Sequence, residues 1–429
     1  RNEGRDMNGG TKLKAFLMIS IFFLGIACSA AARRTIYVDN DGSADFNTIR
    51  EAIDDSNDGD TIIVADGVYT GPGNRDINFK GKAITVRSEN GPEDCIIDCN
   101  GTESDRHRGF YFNSGENANS AIIGFTITNG YATLVCVHPS PSMCFSDGGA
   151  IWCYHSSPTI SHCVISGNVA GEPGAHGGGI CTLGGSPTLT NCTFTGNSAY
   201  SANIDYNYGG GMYIHVGSPT LTNCIFIGNS ATRHGGGMWN GGNETLNNCI
   251  FWGNRDNGGT DESAQIHVYD TTPVVNYCCI QGLTGALGGI GNIGDEPLFA
   301  DSNNDDYHLK SLAGRWDANS QSWVQDDVGS LCIDAGDPNS DWTSELWPHG
   351  KRINIGAYGG TPEASMSPLD IGNIANLDND VNDIVNSLDL ALFVGKWCYE
   401  EFLLAEDLSR DGFVNFIDFA IFANNREQS

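Results

Sequence analysis

The chain has 429 residues, with 22 Lys or Arg against 52 Asp or Glu and a formal net charge of -30. So acidic a chain argues against nucleic acid or an anionic membrane as partner and favours a hard divalent cation, calcium first. Its 56 glycines and 40% hydrophobic residues suit many short apolar strands joined by tight turns.

At the N-terminus, Arg1, Arg5, Lys12 and Lys14 precede an apolar run from Ala15 to Ala27, which ends in Ser29-Ala30-Ala31-Ala32. This reads as a secretory signal peptide over residues 1–32, with Met7 as a start and cleavage near Ala30 or Ala32. It implies a secreted, extracellular or cell-surface protein. No later run is long and apolar enough to span a bilayer. Loss of Cys28 with the signal leaves 14 of the 15 cysteines, an even number that invites disulfides outside the cytosol. The expected pairs are Cys136 with Cys144 and Cys95 with Cys99.

The mature chain opens with a strand over Thr35-Ile36-Tyr37-Val38. Phe46, Ile49 and Ile53 then recur at helical spacing and predict a short helix, ended by the acidic stretch from Asp54 to Asp60. A helix here covers the open end of a solenoid. Strands follow at 61–64, 83–86 and 95–98, and residues 120–129 read as an early copy of the repeat that comes next.

From Ser157 to Gly282 one segment recurs. Ser186-Pro187-Thr188-Leu189-Thr190-Asn191-Cys192-Thr193-Phe194-Thr195-Gly196-Asn197 returns from Ser218 to Asn229, with weaker copies at 157–168, 245–254 and 273–282. Its cysteines, at 163, 192, 224, 249 and 278, are 29, 32, 25 and 29 residues apart. A second phrase of two or three glycines and an aliphatic residue precedes each copy, as in Gly209-Gly210-Gly211-Met212. Periods in this range indicate a solenoid. Alternation points Leu221 inward and then Cys224 and Phe226 inward, so the parity changes at Asn223. Asn191, Asn223 and Asn248, with His162 and Tyr277 as deviations, form a ladder of turns that needs left-handed backbone. Ile151, Ile180, Met212 and Met238 face inward from a third strand. One equivalent position per coil makes the five cysteines a stack of packed thiols, favoured over cross-coil bridges.

These phrases resemble the repeats of polymorphic outer-membrane and autotransporter-like β-helix proteins. The three-strand coil with an asparagine turn is similar to the pectate-lyase-like superfamily, which implies an all-β solenoid, a right-handed parallel β-helix with an N-terminal capping helix, over residues 33–360. After Gly282 weaker strands are expected around Leu298, Tyr307, Cys332 and Ile353, and residues 361–369 read as a linker. On the first strand of each coil, Trp152, Cys181, Tyr213 and Trp239 face solvent about 5 Å apart. Stacked large residues also stabilise a solenoid wall, so substrate binding by Trp152, Tyr213 and Trp239 and a purely structural role both stand. His155, Asp147 and His176 adjoin that row. With His215, Arg233 and His234 they could supply acid–base groups, and those last three are the catalytic candidates. The catalytic signatures of polygalacturonases and pectate lyases are absent from the sequence. The resemblance leaves three classes open: a polysaccharide-binding protein, a polysaccharide lyase or glycoside hydrolase, and an adhesin or structural surface protein.

In the tail, residues 370–429, two loops repeat 29 residues apart. Oxygen ligands fall at positions 1, 3, 5, 7, 9 and 12: Asp378, Asp380, Asn382, the Ile384 carbonyl, Asn386 and Asp389, then Asp407, Ser409, Asp411, the Phe413 carbonyl, Asn415 and Asp418. This is calcium chemistry, with Gly412 at the turn of the second loop. Each loop leads into a helix, Leu388 to Phe393 and Phe416 to Phe422. The pair resembles a type I dockerin, a small all-α module, and so implies a cohesin-like partner reached through Ser387-Leu388 and Phe416-Ile417. Those positions are more apolar here than is usual in the family.

Overall fold

The computed structural model describes residues 33–42, 44–136, 144–202, 206–369, 375–377, 385, 387–399, 403–410 and 412–426. The expected signal peptide lies outside them. Three parallel sheets of nine, eight and seven strands make the body of the chain. Neighbours within each sheet are not consecutive in sequence, so the chain visits the sheets in turn and winds a solenoid of about eight turns. Equivalent residues of the repeat stand opposite one another: Thr188, Leu189 and Thr190 pair with Thr220, Leu221 and Thr222, and Phe194 pairs with Phe226. Among the described residues no helix is long and apolar enough to cross a membrane.

Three features follow from side-chain chemistry. The asparagine turns are as expected, since Asn191, Asn223, Asn248, His162 and Tyr277 all have φ between 50° and 54°. The cysteine stack is also as expected: Cys163, Cys192, Cys224, Cys249 and Cys278 are buried and free. Each parks its proton on the carbonyl two residues back, at 3.2 to 3.4 Å. Aromatic rings fill the centre, with Phe226 stacked on Phe194 at 4.2 Å and on Phe251 at 4.7 Å.

A second asparagine ladder emerges from the Gly-Asn that ends each copy. Asn168, Asn197, Asn229 and Asn254 are fully buried. Each side-chain amide donates to the Oδ1 of the next coil's asparagine, 3.0 Å from Asn168 to Asn197 and 2.9 Å at the following two steps, and Gln265 Oε1 ends the chain at 2.8 Å. Each amide also donates to a strand carbonyl, so polar groups in the interior are satisfied in series.

The capping helix runs Ile49–Asp55, starting later than its apolar spacing predicts because Thr48 is its N-cap and Phe46 is held in a bridge to Val38. Cys95 and Cys99 are free, not paired. They lie on one face of an extended segment on either side of Ile97, four residues and about 13 Å apart, far beyond disulfide reach. Cys144, in register with Cys136 on the neighbouring antiparallel strand, is disulfide-bonded.

The last strand of the parallel sheets is Cys279–Ile280, followed by a single parallel bridge from Cys279 to Ile293, and no further parallel strand follows among the described residues to 360. From Phe299 the chain forms two antiparallel hairpins, Phe299–Asp301 with Asp306–Leu309 and Arg315–Asp317 with Ser322–Val324. This closing segment packs on the outer face of the second sheet, where Tyr307, Leu309, Cys332 and Ile355 cover Ile225, Ile250 and Cys279. The expected linker is packed too: Ala364, Met366 and Ser367 are buried, and Ser365 Oγ donates to the Leu309 carbonyl at 2.6 Å.

Candidate functional site: an aromatic groove

On the seven-stranded sheet, the strands Phe110–Phe112, Ile151–Tyr154, Ile180–Leu183, Met212–Val216, Met238–Asn240 and Ile266–Val268 lie side by side. Their register places Tyr111, Trp152, Cys181, Tyr213, Trp239 and His267 in one outward column. These side chains point away from the core, as the alternation requires. Yet Trp152, Tyr213 and Trp239 are only 8%, 6% and 4% exposed. The expectation of a bare row fails because a second column lies over it: Asp147, His176 and Tyr208 are in register on a short side sheet, and His234 bridges to Tyr208.

The two columns interlock ring on ring. His176 stacks on Tyr213 at 4.5 Å and lies 4.9 Å from Phe145; Tyr213 stacks on Trp239 at 4.6 Å. Their outer edges, with Tyr154, Tyr206, Tyr269, His155 and His215, enclose a groove of about 820 Å³. Tyr154, Tyr206 and Tyr269, at 44%, 51% and 71% exposed, are its accessible aromatic faces. Tyr154 was legible in sequence, because alternation puts it on the same face as Trp152; Tyr206 belongs to an insertion outside the repeat and carried no such signal.

Polar groups in the groove are few and specific. His176 Nδ1 lies 2.9 Å from Asp147 Oδ1, and both residues are buried. The indole Nε1 atoms of Trp152 and Trp239 are buried donors with no hydrogen-bond partner. Beneath Trp152 the fully buried Arg108 lies over the Tyr111 ring at 4.7 Å and donates to the Thr133 carbonyl at 3.0 Å. Its desolvation lowers the guanidinium pKa from the usual value. Of the acid–base candidates, Asp147, His155, His176 and His215 line the groove, the last with its Nδ1 3.3 Å from the Tyr213 hydroxyl. Arg233 and His234 are off its lining: Arg233 lies over Tyr208 at 5.5 Å and His234 stacks on His267 at 4.4 Å. Desolvation holds both of these histidines below the usual imidazole pKa.

The tail is half described. Asp378, Asp380, Asn382, Ile384, Asn386 and Asp411 lie outside the described residues. Helices Ser387–Gly395 and Phe416–Arg426 follow the two loops and share a core containing Phe393 and Phe422, 5.4 Å apart. Asp389, Asp407 and Asp418 are fully buried. In the second loop Gly412 N donates to Asp407 Oδ2 at 2.8 Å, while Ser409 N and Asn415 N donate to the two Asp418 oxygens at 2.7 and 2.8 Å. Carboxylates in a tight turn are the kind of hard oxygen donor that calcium takes. Among the described residues no group of three or more His, Cys, Asp or Glu is arranged to hold a metal. Arg410, at loop position 4, is half-buried with its pKa pushed down to about 10 by desolvation, and donates to the carbonyls of Leu404 and Asp407 at 2.9 Å and of Trp347 at 3.3 Å.

Two family models match the chain, one described as right handed beta helix region over residues 149–290 and one as disaggregatase related over residues 274–336. No curated protein matches it. Among solved structures it is similar to a pectin methylesterase from carrot, at 12% identity and a TM-score of 0.35, over 60% of this chain and 82% of that one. It is also similar to the pectate lyase Pel9A, at 15% identity and a TM-score of 0.38, over 76% of this chain and 96% of the other. The repeat of this chain is thus similar to right-handed β-helix regions, and its architecture is a parallel β-helix.

Proposed function

We propose that this is a secreted or cell-surface protein that binds polysaccharide in the aromatic groove and is tethered through a calcium-dependent, dockerin-like tail, in the service of polysaccharide breakdown. The observation that carries the reading is the groove itself. Sugar rings stack on flat apolar faces, and Tyr154, Tyr206 and Tyr269 offer three around a channel of about 820 Å³. Pull-down across a panel of insoluble polysaccharides tests it. Retention on at least one member, lost in Tyr154→Ala plus Tyr269→Ala, is the expected result; no retention anywhere leaves an adhesin or structural surface protein.

A second reading, a polysaccharide lyase or glycoside hydrolase, is favoured by one observation: the buried Asp147–His176 pair opens onto the same groove. A carboxylate on one imidazole nitrogen fixes the tautomer and leaves the other for proton transfer. Release of unsaturated or reducing ends, abolished in His176→Ala with binding intact, would establish it; His215→Ala tests the other histidine of the groove.

For the tail, calcium would be held by the twelve oxygen positions named above and would supply the charge that draws each acidic loop into one turn. Calorimetry should show uptake that Asp378→Ala plus Asp407→Ala removes. The exposed Leu388, Phe416 and Ile417, with Phe416 77% exposed, support a protein partner at the dockerin-like positions. Capture of an isolated cohesin module in calcium but not in chelator checks that step.

A further inference from the structure

The doublet Cys278-Cys279 divides between two cores. Cys278 points into the solenoid and ends the thiol stack, whereas Cys279 points out and is buried against the closing segment. Register puts Cys279 in line with Ile250 and Ile225, the outward residues that segment covers. From the segment comes Cys332, also buried and in the same apolar cluster as Cys279, whose thiol donates to the Asp295 carbonyl at 3.2 Å. Both are free thiols.

The stacked cysteines touch one another as well, but they sit on directly adjacent parallel strands. Strand spacing keeps their Cβ atoms about 4.8 Å apart, whereas a disulfide takes about 3.5–4.5 Å. Backbone hydrogen bonds on both sides resist closing that gap. Cys332 is bound by no such ladder: it lies in a turn, where its N–H donates to Ser330 Oγ at 3.1 Å and its carbonyl accepts from Ile355 N at 2.9 Å. It can therefore adjust toward Cys279.

We propose that Cys279 and Cys332 are an oxidation site that closes into a disulfide and fastens residues 299–367 to the last coil. The oxidant is a disulfide, small or enzyme-bound. The thiolate of one cysteine attacks it, forming a mixed disulfide and releasing one thiol; the second thiolate attacks the protein sulfur and releases the other. Two protein sulfurs lose one electron each, the oxidant's S–S bond takes both, and its two thiols carry away the two protons. Because Cys332 is buried once the segment has docked, closure belongs to folding.

The full chain, refolded with glutathione disulfide, alkylated and digested without reduction, tests the proposal. The expected product is a peptide pair joining the Cys278-Cys279 peptide to that of Cys332, retained in Cys278→Ser and lost in Cys279→Ser. Dithiol treatment should then speed amide exchange across 299–367 at least tenfold in the wild type and not in Cys332→Ser, since the bridge closes a loop of about 50 residues. Alkylated Cys332 in a wild-type chain whose Cys144 is still bridged overturns the proposal. So does a Cys332 link that survives in Cys279→Ser.

Discussion

Replacing Asn229 by alanine should be among the most damaging single changes in the body of the chain. Asn229 is fully buried, and its side chain makes four hydrogen bonds: Nδ2 to the Phe194 carbonyl and to Asn254 Oδ1, both at 2.9 Å, and Oδ1 from Asn197 N at 3.0 Å and Asn197 Nδ2 at 2.9 Å. Asn254 Oδ1 keeps the Asn229 backbone N–H, and Asn197 Nδ2 keeps the Ile165 carbonyl. The Phe194 carbonyl and the Asn197 N–H lose these partners in the interior. At about 1–3 kcal/mol for each stranded group, the cost is about 2–6 kcal/mol. Asn229→Asp should be no milder at neutral pH, because a carboxylate cannot donate to Phe194 and meets the Asn254 oxygen head on. Urea unfolding followed by circular dichroism measures this, with hydrogen exchange locating the loss in the coils on either side. A cost below about 1 kcal/mol would show that water or backbone relaxation replaces the amide, and would refute the idea that the ladder holds the coils together.

Other expectations concern charge, space and the indoles. Glu345 is buried, its Oε1 accepts from Asn354 N and Gly360 N at 2.8 Å, and desolvation pushes its carboxyl up to about 8 from 4.5; Glu244, with both oxygens unpartnered, is pushed up to about 7 for the same cause. A folded pKa above the unfolded one means stability that is whole below about pH 4.5 and fades as pH rises to about 8, on the order of 3–5 kcal/mol for Glu345. Glu345→Gln should flatten that part of a melting-temperature profile, and a profile unchanged from wild type would contradict the sign. A Cβ added at Gly210 would collide with the carbonyls of Ser230 and Gly236 in the next coil, so Gly210→Ala should cost more than about 3 kcal/mol in the same urea assay, against little for Gly228→Ala beyond its positive φ. Trp239→Phe keeps the ring column and removes one buried donor that has no partner, so stability in the urea assay should hold or rise; a loss of more than about 2 kcal/mol would show that the indole is bonded in solution.

The fold was legible because each coil repeats the same steric problem. The asparagine turns and the inward cysteines could be placed from spacing and parity alone, since one left-handed residue per coil reverses the alternation. The buried Asn197 and Asn229 ladder was visible as a repeated Gly-Asn, but nothing in one coil says that an amide faces inward. It becomes intelligible only when the next coil supplies the acceptor. The groove was legible in part: Trp152, Tyr213 and Trp239 were placed on the right face, while the side sheet that covers them arises from insertions of unequal length between repeats. The closing segment was least legible. Its hairpins have no period, and its partners Ile225, Ile250 and Cys279 are distant in sequence.

Whether the groove takes a sugar chain can be read from tryptophan fluorescence. Titration with the oligosaccharide of whichever polysaccharide retains the protein should change emission saturably, because Trp152 and Trp239 form the groove floor, and Tyr154→Ala plus Tyr269→Ala should weaken binding at least tenfold. Saturable binding with the same affinity in that double variant would place the sugar outside the groove.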